Sequence, residues 1–267
     1  MQLDEVTAVL REAAQTVVLP RYRKLASGEV SEKAPGELVT IVDRQAEELI
    51  TRRLRDLLDI PVVGEEAVAA APHLVGALRE APAAWLVDPL DGTANFVAGS
   101  PDFAVMVALL REGTTVASWI LQPAHDRAYV AERGAGAWRD GERVHRKAAP
   151  ADPAELRGAA LTRFLSPAAQ AHVRKVTPMF GTLESGAKCS GIDYPWLVEG
   201  TLDFILFHRL LPWDHAPGVL LLTEAGGVAH HLDAVPYRPT DERTGLLNAA
   251  DIECWQTVRS LLIWPNA

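Results

Sequence analysis

The stretch 85-WLVDPLDGTANF-96 decides how this chain is read. An apolar run, Trp85-Leu86-Val87, stops at Asp88. Pro89 follows, a second acid, Asp91, comes three residues after the first, and Gly92 and Thr93 stand directly behind it. The run reads as a buried strand and the letters after it as a turn, since Asp, Pro, Gly, Thr and Asn all build turns. The same letters suit a metal or phosphate site. Pro89 keeps a regular strand from sending the two aspartates to opposite faces, so both can turn toward one centre. If Gly92 and Thr93 open a helix, their backbone N–H groups meet an anionic ligand without obstruction.

Other acids stand at comparable places: Asp43 closing "LVTIVD", Glu65 and Glu66 in "VVGEEA", and Asp214 in "PWDHAPGVLLLTEAGG". Each has an ordinary reading on its own. A Glu-Glu pair at a strand end is commonly solvated surface, Asp43 suits a helix cap, and Asp214 reads as a helix N-cap with Pro217 in the first turn. Together they suit something else. Hard divalent cations such as Mg²⁺ take oxygen ligands from a few carboxylates and keep positions open for water and phosphate. Two such ions can hold a phosphoryl group, activate water and stabilise the leaving oxygen.

Working outward, residues 4–25 have the spacing of an amphipathic helix, and "SGEVSEKAPGE" (27–37) interrupts with Gly, Pro and charge as a mobile loop. "LVTIVDRQAEELITRRLRDLLD" is a short strand running into a helix with Ala46, Leu49, Ile50, Leu54, Leu57 and Leu58 on one face. "IPVVGEE" and "AAWLVDPL" are short buried strands. "FAVMVALLREGTTVASWILQP" and "RAYVAERGAGAWRDGERV" are hairpin-connected strands of an antiparallel sheet. Near residue 145 Pro and Ala accumulate, which predicts a junction between segments 1–145 and 146–267. Beyond it strands alternate with helices: a helix near 167–177, another near 193–200, "DFILF", and a helix from 215. His230 and His231 read as loop residues, and Cys189 as a small buried residue.

Composition narrows the function classes. The 267 residues carry 35 acids against 26 bases, a net charge of −9, which argues against a nucleic-acid partner and suits a protein that gathers carboxylates around cations. Hydrophobic residues make up 48%, enough for a full globular core. Two cysteines, Cys189 and Cys254, build no disulfide framework and point to the cytoplasm. Neither a signal peptide nor a bilayer-spanning run is expected.

On these motifs the chain resembles the inositol monophosphatase-like phosphatases, which are Mg²⁺-dependent and lithium-sensitive. The resemblance runs through "LVTIVD", "GEE", D-P-x-D-G-T-x-N-F, "ERGAGAW" and W-D-x-A-x-G…E-A-G-G, nearly the whole chain. It implies a mixed α/β (α+β) fold, a layered α-β-α-β-α sandwich. An N-terminal antiparallel-sheet half and a C-terminal α/β half would meet at the metals. It implies Glu65, Asp88, Asp91 and Asp214 as metal-binding carboxylates with the Leu90 carbonyl, and two or three Mg²⁺ ions per site. Thr93 with Asp43 would orient and help deprotonate the attacking water, with Glu65 in the same catalytic set. The Gly92 and Thr93 amides would hold the phosphate. Lys33 stands near the family's loop lysine, in a loop one residue shorter. A homodimer is implied as well.

The substrate wall departs from the family pattern. Where G-S-A-A-L-D is common, this chain has "KCSGID", with Lys188 for glycine, Cys189 for serine, and Ser190 following. Phe207, seven residues before Asp214, occupies the slot where many inositol-specific members place a glutamate, and His208 and Arg209 follow it. Lys188, Ser190, His208 and Arg209 are therefore the candidate substrate contacts, and nearby cations would suit a second anionic group. The expected activity is hydrolysis of inositol monophosphate or a related small phosphorylated metabolite. The alternatives are a histidinol-phosphate, sugar-bisphosphate or 3′-phosphonucleotide phosphatase, or a non-catalytic regulatory binding protein on the same fold.

Overall fold

The computed structural model describes residues 3–262. Helix α1 (Leu3–Ala13) buries Val6, Val9, Leu10 and Ala13 on one stripe. The helix expected over 4–25 runs without a gap from Leu3 to Arg21, widening into a π turn at Ala14–Val18 before α2 (Leu19–Arg21). Pro20, which has no N–H to continue the α ladder, follows that π turn. The stretch expected as a loop is instead an antiparallel hairpin, β1 (Val30–Ala34) and β2 (Glu37–Thr40), turned at Pro35-Gly36. Its charges lie on an exposed ribbon and so mimic loop composition. Thr40 caps α3 (Ile41–Leu57), and Asp43 completes the capping box.

The next strands are β3 (Val62–Gly64), then β4 (Ala83–Asp91) after α4 (Glu65–Ala70) and α5 (Ala77–Glu80). After α6 (Thr93–Val97) come β5 (Ala104–Arg111), β6 (Thr114–Gln122), β7 (Arg127–Glu132), β8 (Gly136–Arg139) and β9 (Glu142–Val144). They form one seven-stranded sheet in sequence order, antiparallel except for the β3–β4 pair. A second sheet, ordered β11-β10-β12-β14-β13, uses β10 (Arg157–Ala160), β11 (Thr182–Glu184), β12 (Phe204–Phe207), β13 (Val228–His231) and β14 (Leu246–Ala249). Its β10 pairs in parallel with β11 and β12; the remaining pairs are antiparallel. The interleaved helices are α7 (Pro167–Val176), α8 (Ser190–Glu199), α9 (Pro212–Glu224) and α10 (Ile252–Leu262). His230 and His231 thus belong to β13 and not to a loop, and His231 is buried with Nδ1 3.1 Å from the Gly245 carbonyl.

Apolar clusters give the layers. Helices α1 and α3 cover one face of the large sheet through Trp85, Val107 and Trp119. Its other face packs on α8 and α9, which also cover the second sheet through Ala159, Ile205 and Phe207. Helices α7 and α10 close the far side. This is the α-β-α-β-α sandwich. Pro195 sits inside α8, where its missing N–H frees the Gly191 carbonyl; Gln122 Nε2 donates to that carbonyl at 2.8 Å. Pro217 lies inside α9, not in its first turn, which Pro212 occupies.

One irregularity in β4 positions the site. Asp88 pairs with Met106 and Asp91 with Ala104, so three steps on β4 face two on β5. The bulge at Pro89-Leu90 puts both aspartates on the face of Met106 and Ala104, toward α8 and α9. Leu90 is buried on the opposite face with α1 and α3. In a regular strand, residues three apart point to opposite faces.

The middle layer is close-fitting where Gly218 of α9 meets Tyr194 of α8: a Cβ at 218 would lie 2.0 Å from the ring. Tyr194 is fully buried and has nowhere to go. Gly218→Ala is expected to cost about 1–3 kcal/mol. Urea unfolding should show a lower midpoint at unchanged slope; an unchanged midpoint would mean the two helices are looser than described.

Candidate active site

Three elements bring the acids together. The β4 bulge supplies Asp88 and Asp91, which are 2% and 9% exposed. Asp214, the third residue of α9 and not its N-cap, lies near enough to Asp88 to share a hydrogen bond. Glu65 opens α4 directly after β3. Asp91 is the best supported of them. Its Oδ2 accepts from Gly191 N at 2.6 Å and from Cys189 Sγ at 3.3 Å, and Ser190 also donates to it. The positive end of α8 therefore faces this carboxylate.

Burial pushes Asp88 well above the usual carboxylate range, and the charges of Glu65, Asp91 and Asp214 push the same way. Asp214 is raised well above its ordinary value by burial, then by Asp91 and Glu65. Asp91 and Glu65 are raised chiefly by burial, against hydrogen bonds from the α8 terminus and the charge of Lys33 respectively. Lys33 lies on β1 of the hairpin and pairs with Glu65 Oε1 at 2.9 Å and with Glu66. Sequence reasoning missed Glu47. Buried on α3, it accepts from the Glu66 and Ala67 amides at 2.8 Å each, and so fixes the start of α4 that carries Glu65. Its signal was a glutamate beside Ala46 on an apolar helical face.

Asp43 serves as cap and as site residue at once. Its Oδ2 accepts from Thr40 N at 2.8 Å and Thr40 Oγ1 at 2.6 Å, while Oδ1 faces Thr93 Oγ1 at 2.9 Å. The same Thr93 hydroxyl lies 3.0 Å from the Leu90 carbonyl. One hydrogen serves two acceptors, and a carboxylate is the stronger. Gly92 precedes α6 at φ +83°, where a Cβ would stand 2.9 Å from the Asp102 carbonyl and 3.1 Å from Cys189. Glycine alone fits there. Asn95 of the same motif donates to the Asp102 and Ala187 carbonyls at 2.8 Å, tying α6 to the chain before α8.

A pocket of about 480 Å³ opens beside Asp91 and Asp214, and Lys188, Ser190, Phe207, His208 and Arg209 line it. So do Arg163 and Phe164, which sequence reasoning did not single out. Burial lowers the His208 pKa below the ordinary value, and its Nδ1 has no partner among the described residues. Burial and the Asp91 charge keep the Cys189 thiol protonated, so it is no nucleophile.

Four carboxylates press on one another, with Lys33 paired to Glu65 and the charge of Arg209 acting on Asp214. Among the described residues no three Asp, Glu, His or Cys side chains are already drawn into one coordination cluster. The donors are nevertheless all oxygens, and their mutual repulsion is what a hard divalent cation relieves, so the residues fit Mg²⁺.

Residues 2–258 match the profile of the Inositol monophosphatase family. An inositol-1-monophosphatase of Rhizobium meliloti is 34% identical over 203 residues, covering 74% of each chain. A fructose-1,6-bisphosphatase/inositol-1-monophosphatase of Aquifex aeolicus is 29% identical, covering 84% of this chain and 83% of its own. The solved structure of the extragenic suppressor protein suhB from Bartonella henselae superposes with a TM-score of 0.83 at 24% identity, over 97% of both chains. That likeness concerns the fold.

Acids whose folded pKa is raised hold extra protons in the folded state, so they remove stability as pH rises through the raised values. Asp193, raised by burial to about 7, has the same sign. His215, held neutral by burial at about 4, acts oppositely but only below its ordinary value of 6.5. Metal-stripped protein should therefore melt lower at about pH 8.5 than at about pH 6.5, and Mg²⁺ should raise Tm more at the higher pH. Calorimetry with chelator and with Mg²⁺ checks this; a metal-free Tm that rises over that window would contradict the charge assignment.

Proposed function

The chain belongs to the inositol monophosphatase family, and from that premise we propose that this phosphatase is a Mg²⁺-dependent hydrolase of small phosphate monoesters. The observation that carries the reading is the convergence of Asp88, Asp91, Asp214 and Glu65 beside a hydrogen-bonded Thr93–Asp43 pair at a pocket of metabolite size. Glu65, Asp88, Asp91, Asp214 and the Leu90 carbonyl would hold the metal, two or three ions in all. Mg²⁺ bound there neutralises phosphoryl charge and makes water a nucleophile near neutral pH.

The chain's own residues do the rest. The Thr93 hydroxyl gives its hydrogen to Asp43, which leaves its oxygen free to accept from an incoming water. Thr40 fixes the other Asp43 oxygen, so the carboxylate cannot rotate away. The Gly92 and Thr93 amides lie at the start of α6, where they would donate to the phosphate once the Gly92 N–H leaves the Asp91 carboxylate it meets here. The pocket wall sets the alcohol half of the substrate. Phe207 offers no acceptor for ring hydroxyls, and a site without one loses its means of rejecting analogues. Inositol monophosphate stands first among substrates on the family match, followed by histidinol phosphate, sugar bisphosphates and 3′-phosphonucleotides. The same reading takes the protein as a cytoplasmic homodimer inhibited by lithium.

Release of inorganic phosphate from that substrate set, with and without Mg²⁺, tests the proposal directly; no release in Mg²⁺ from any of them would overturn it. Asp88→Asn should abolish turnover while leaving a folded protein, because it removes ligand charge where charge is already in excess. Thr93→Ala should lower kcat by about 10²–10⁴ while KM moves a few-fold, as a group acting in the transition state does. If Thr93→Ala raised KM and spared kcat, Thr93 would be a binding hydroxyl and not a water-orienting one.

A further inference from the structure

Lys188 has a backbone that a lysine pays to adopt. Its φ is +59°, the left-handed region that favours glycine, which is what the family motif commonly has here. The strain is imposed from both sides. The Ala187 carbonyl before it accepts from Asn95, and the Ala187 N–H donates to Asp193 at 2.7 Å. Beyond it, Cys189 contacts Asp91. Held this way, Lys188 lines the pocket, and no acid among the described residues pairs with it. A strained residue kept in place by its surroundings is where a functional role is to be sought.

Two more cations complete that wall. Arg163 and Arg209 lie against the ring of Phe164, at 5.1 and 4.3 Å from its centroid, and Phe164 is 41% exposed. Both guanidinium groups are turned onto consecutive residues of the β1–β2 hairpin. Arg163 donates to the Pro35 and Gly36 carbonyls at 3.0 and 3.3 Å, and Arg209 pairs with the Glu37 carboxylate. Glu37 thereby holds, from inside the chain, the place on Arg209 that a ligand carboxylate or phosphate would take. Of the three cations only Arg209 acts on one of the buried acids, its charge opposing the rise in the Asp214 pKa.

We infer that Lys188, Arg163 and Arg209 form a second anion site at the pocket mouth. It would read a phosphate or carboxylate remote from the scissile group, with Glu37 as its intramolecular competitor. The inference rests on the proposed phosphatase reading, since the scissile phosphate is taken to sit at Asp91 and Gly92. Substrates with two anionic groups would displace Glu37 from Arg209 and engage Lys188 directly, whereas substrates with one would leave the hairpin clasped. Specificity then depends on the hairpin as well as on the pocket floor.

Equilibrium binding separates this from the chemistry. Calorimetric titration of the full chain in Mg²⁺, on a Thr93→Ala background that slows turnover, compares fructose 1,6-bisphosphate with fructose 6-phosphate. The bisphosphate should bind about tenfold tighter, the scale of one added charge-assisted contact. Glu37→Gln should widen that ratio about threefold, the scale of one exposed ion pair. Lys188→Gly should narrow it severalfold and yet raise Tm by about 2–4 °C, because glycine relieves the left-handed backbone. Opposite effects on affinity ratio and stability are not what a merely structural lysine gives. Equal affinities for the two sugars, or a ratio moved by neither substitution, would overturn the second site. Phosphate release is a separate readout, and its failure would remove the phosphatase reading while the titration still decided the anion site.

Discussion

One extra residue in one strand sets the geometry of this site. Without the bulge at Pro89-Leu90, Asp88 and Asp91 would leave β4 on opposite faces. With it, Leu90 anchors the strand in the outer core while both acids enter the middle layer. The chain then has to turn sharply out of the sheet, which it does at Gly92 against Cys189 and Asp102. Asn95, one turn on, ties this corner to Ala187, so the bulge also governs where the α8 terminus and Lys188 stand. A local register shift thereby places groups from segments a hundred residues apart.

The arrangement works against the stability of the fold. Burying several carboxylates with one ammonium beside them is unfavourable, and an apolar core tolerates it only because the sandwich on either side is extensive. The α8 amides reduce the cost at Asp91, Lys33 reduces it at Glu65, and at Asp88 the Leu90 N–H, donating at 3.0 Å, faces the charges of three other carboxylates. Groups held in this way at a functional site are prepared for a cation more than for folding.

Much of this was legible in the sequence because its signals are local. The strand ending in two acids and the alternation after residue 145 follow from spacing, proline and periodicity, whereas Asp43, expected to cap the helix after it, stands third inside α3 behind the N-cap Thr40. The hairpin was not legible: its Pro-Gly turn and exposed charges are equally those of a loop. Asp214 was misplaced by three residues because the N-cap of α9 is Leu211, and an acid in the first turn of a helix resembles its cap. Glu47, Arg163 and Phe164 were missed for another reason. Their importance lies in contacts with Glu66, Gly36 and Arg209, which are distant in sequence or unmarked by any motif. His208 read as a possible cation, but burial lowers its pKa below the ordinary value.

The hairpin joins these threads. Within eleven residues it sends Lys33 to Glu65 and Glu66, Glu37 to Arg209, and Thr40 to Asp43. Those contacts reach the buried acids, the mouth of the pocket and the Thr93–Asp43 pair. Only its β2 end is buried; the turn is exposed and is held by Arg163 and Arg209 alone among the contacts described. The ribbon is therefore held by burial at its β2 end, by Lys33 on Glu65 and Glu66 along β1, and by the two arginines at its turn. The partner of Arg209 at the mouth and the partner of Glu65 at the acids are thus carried by one short pair of strands.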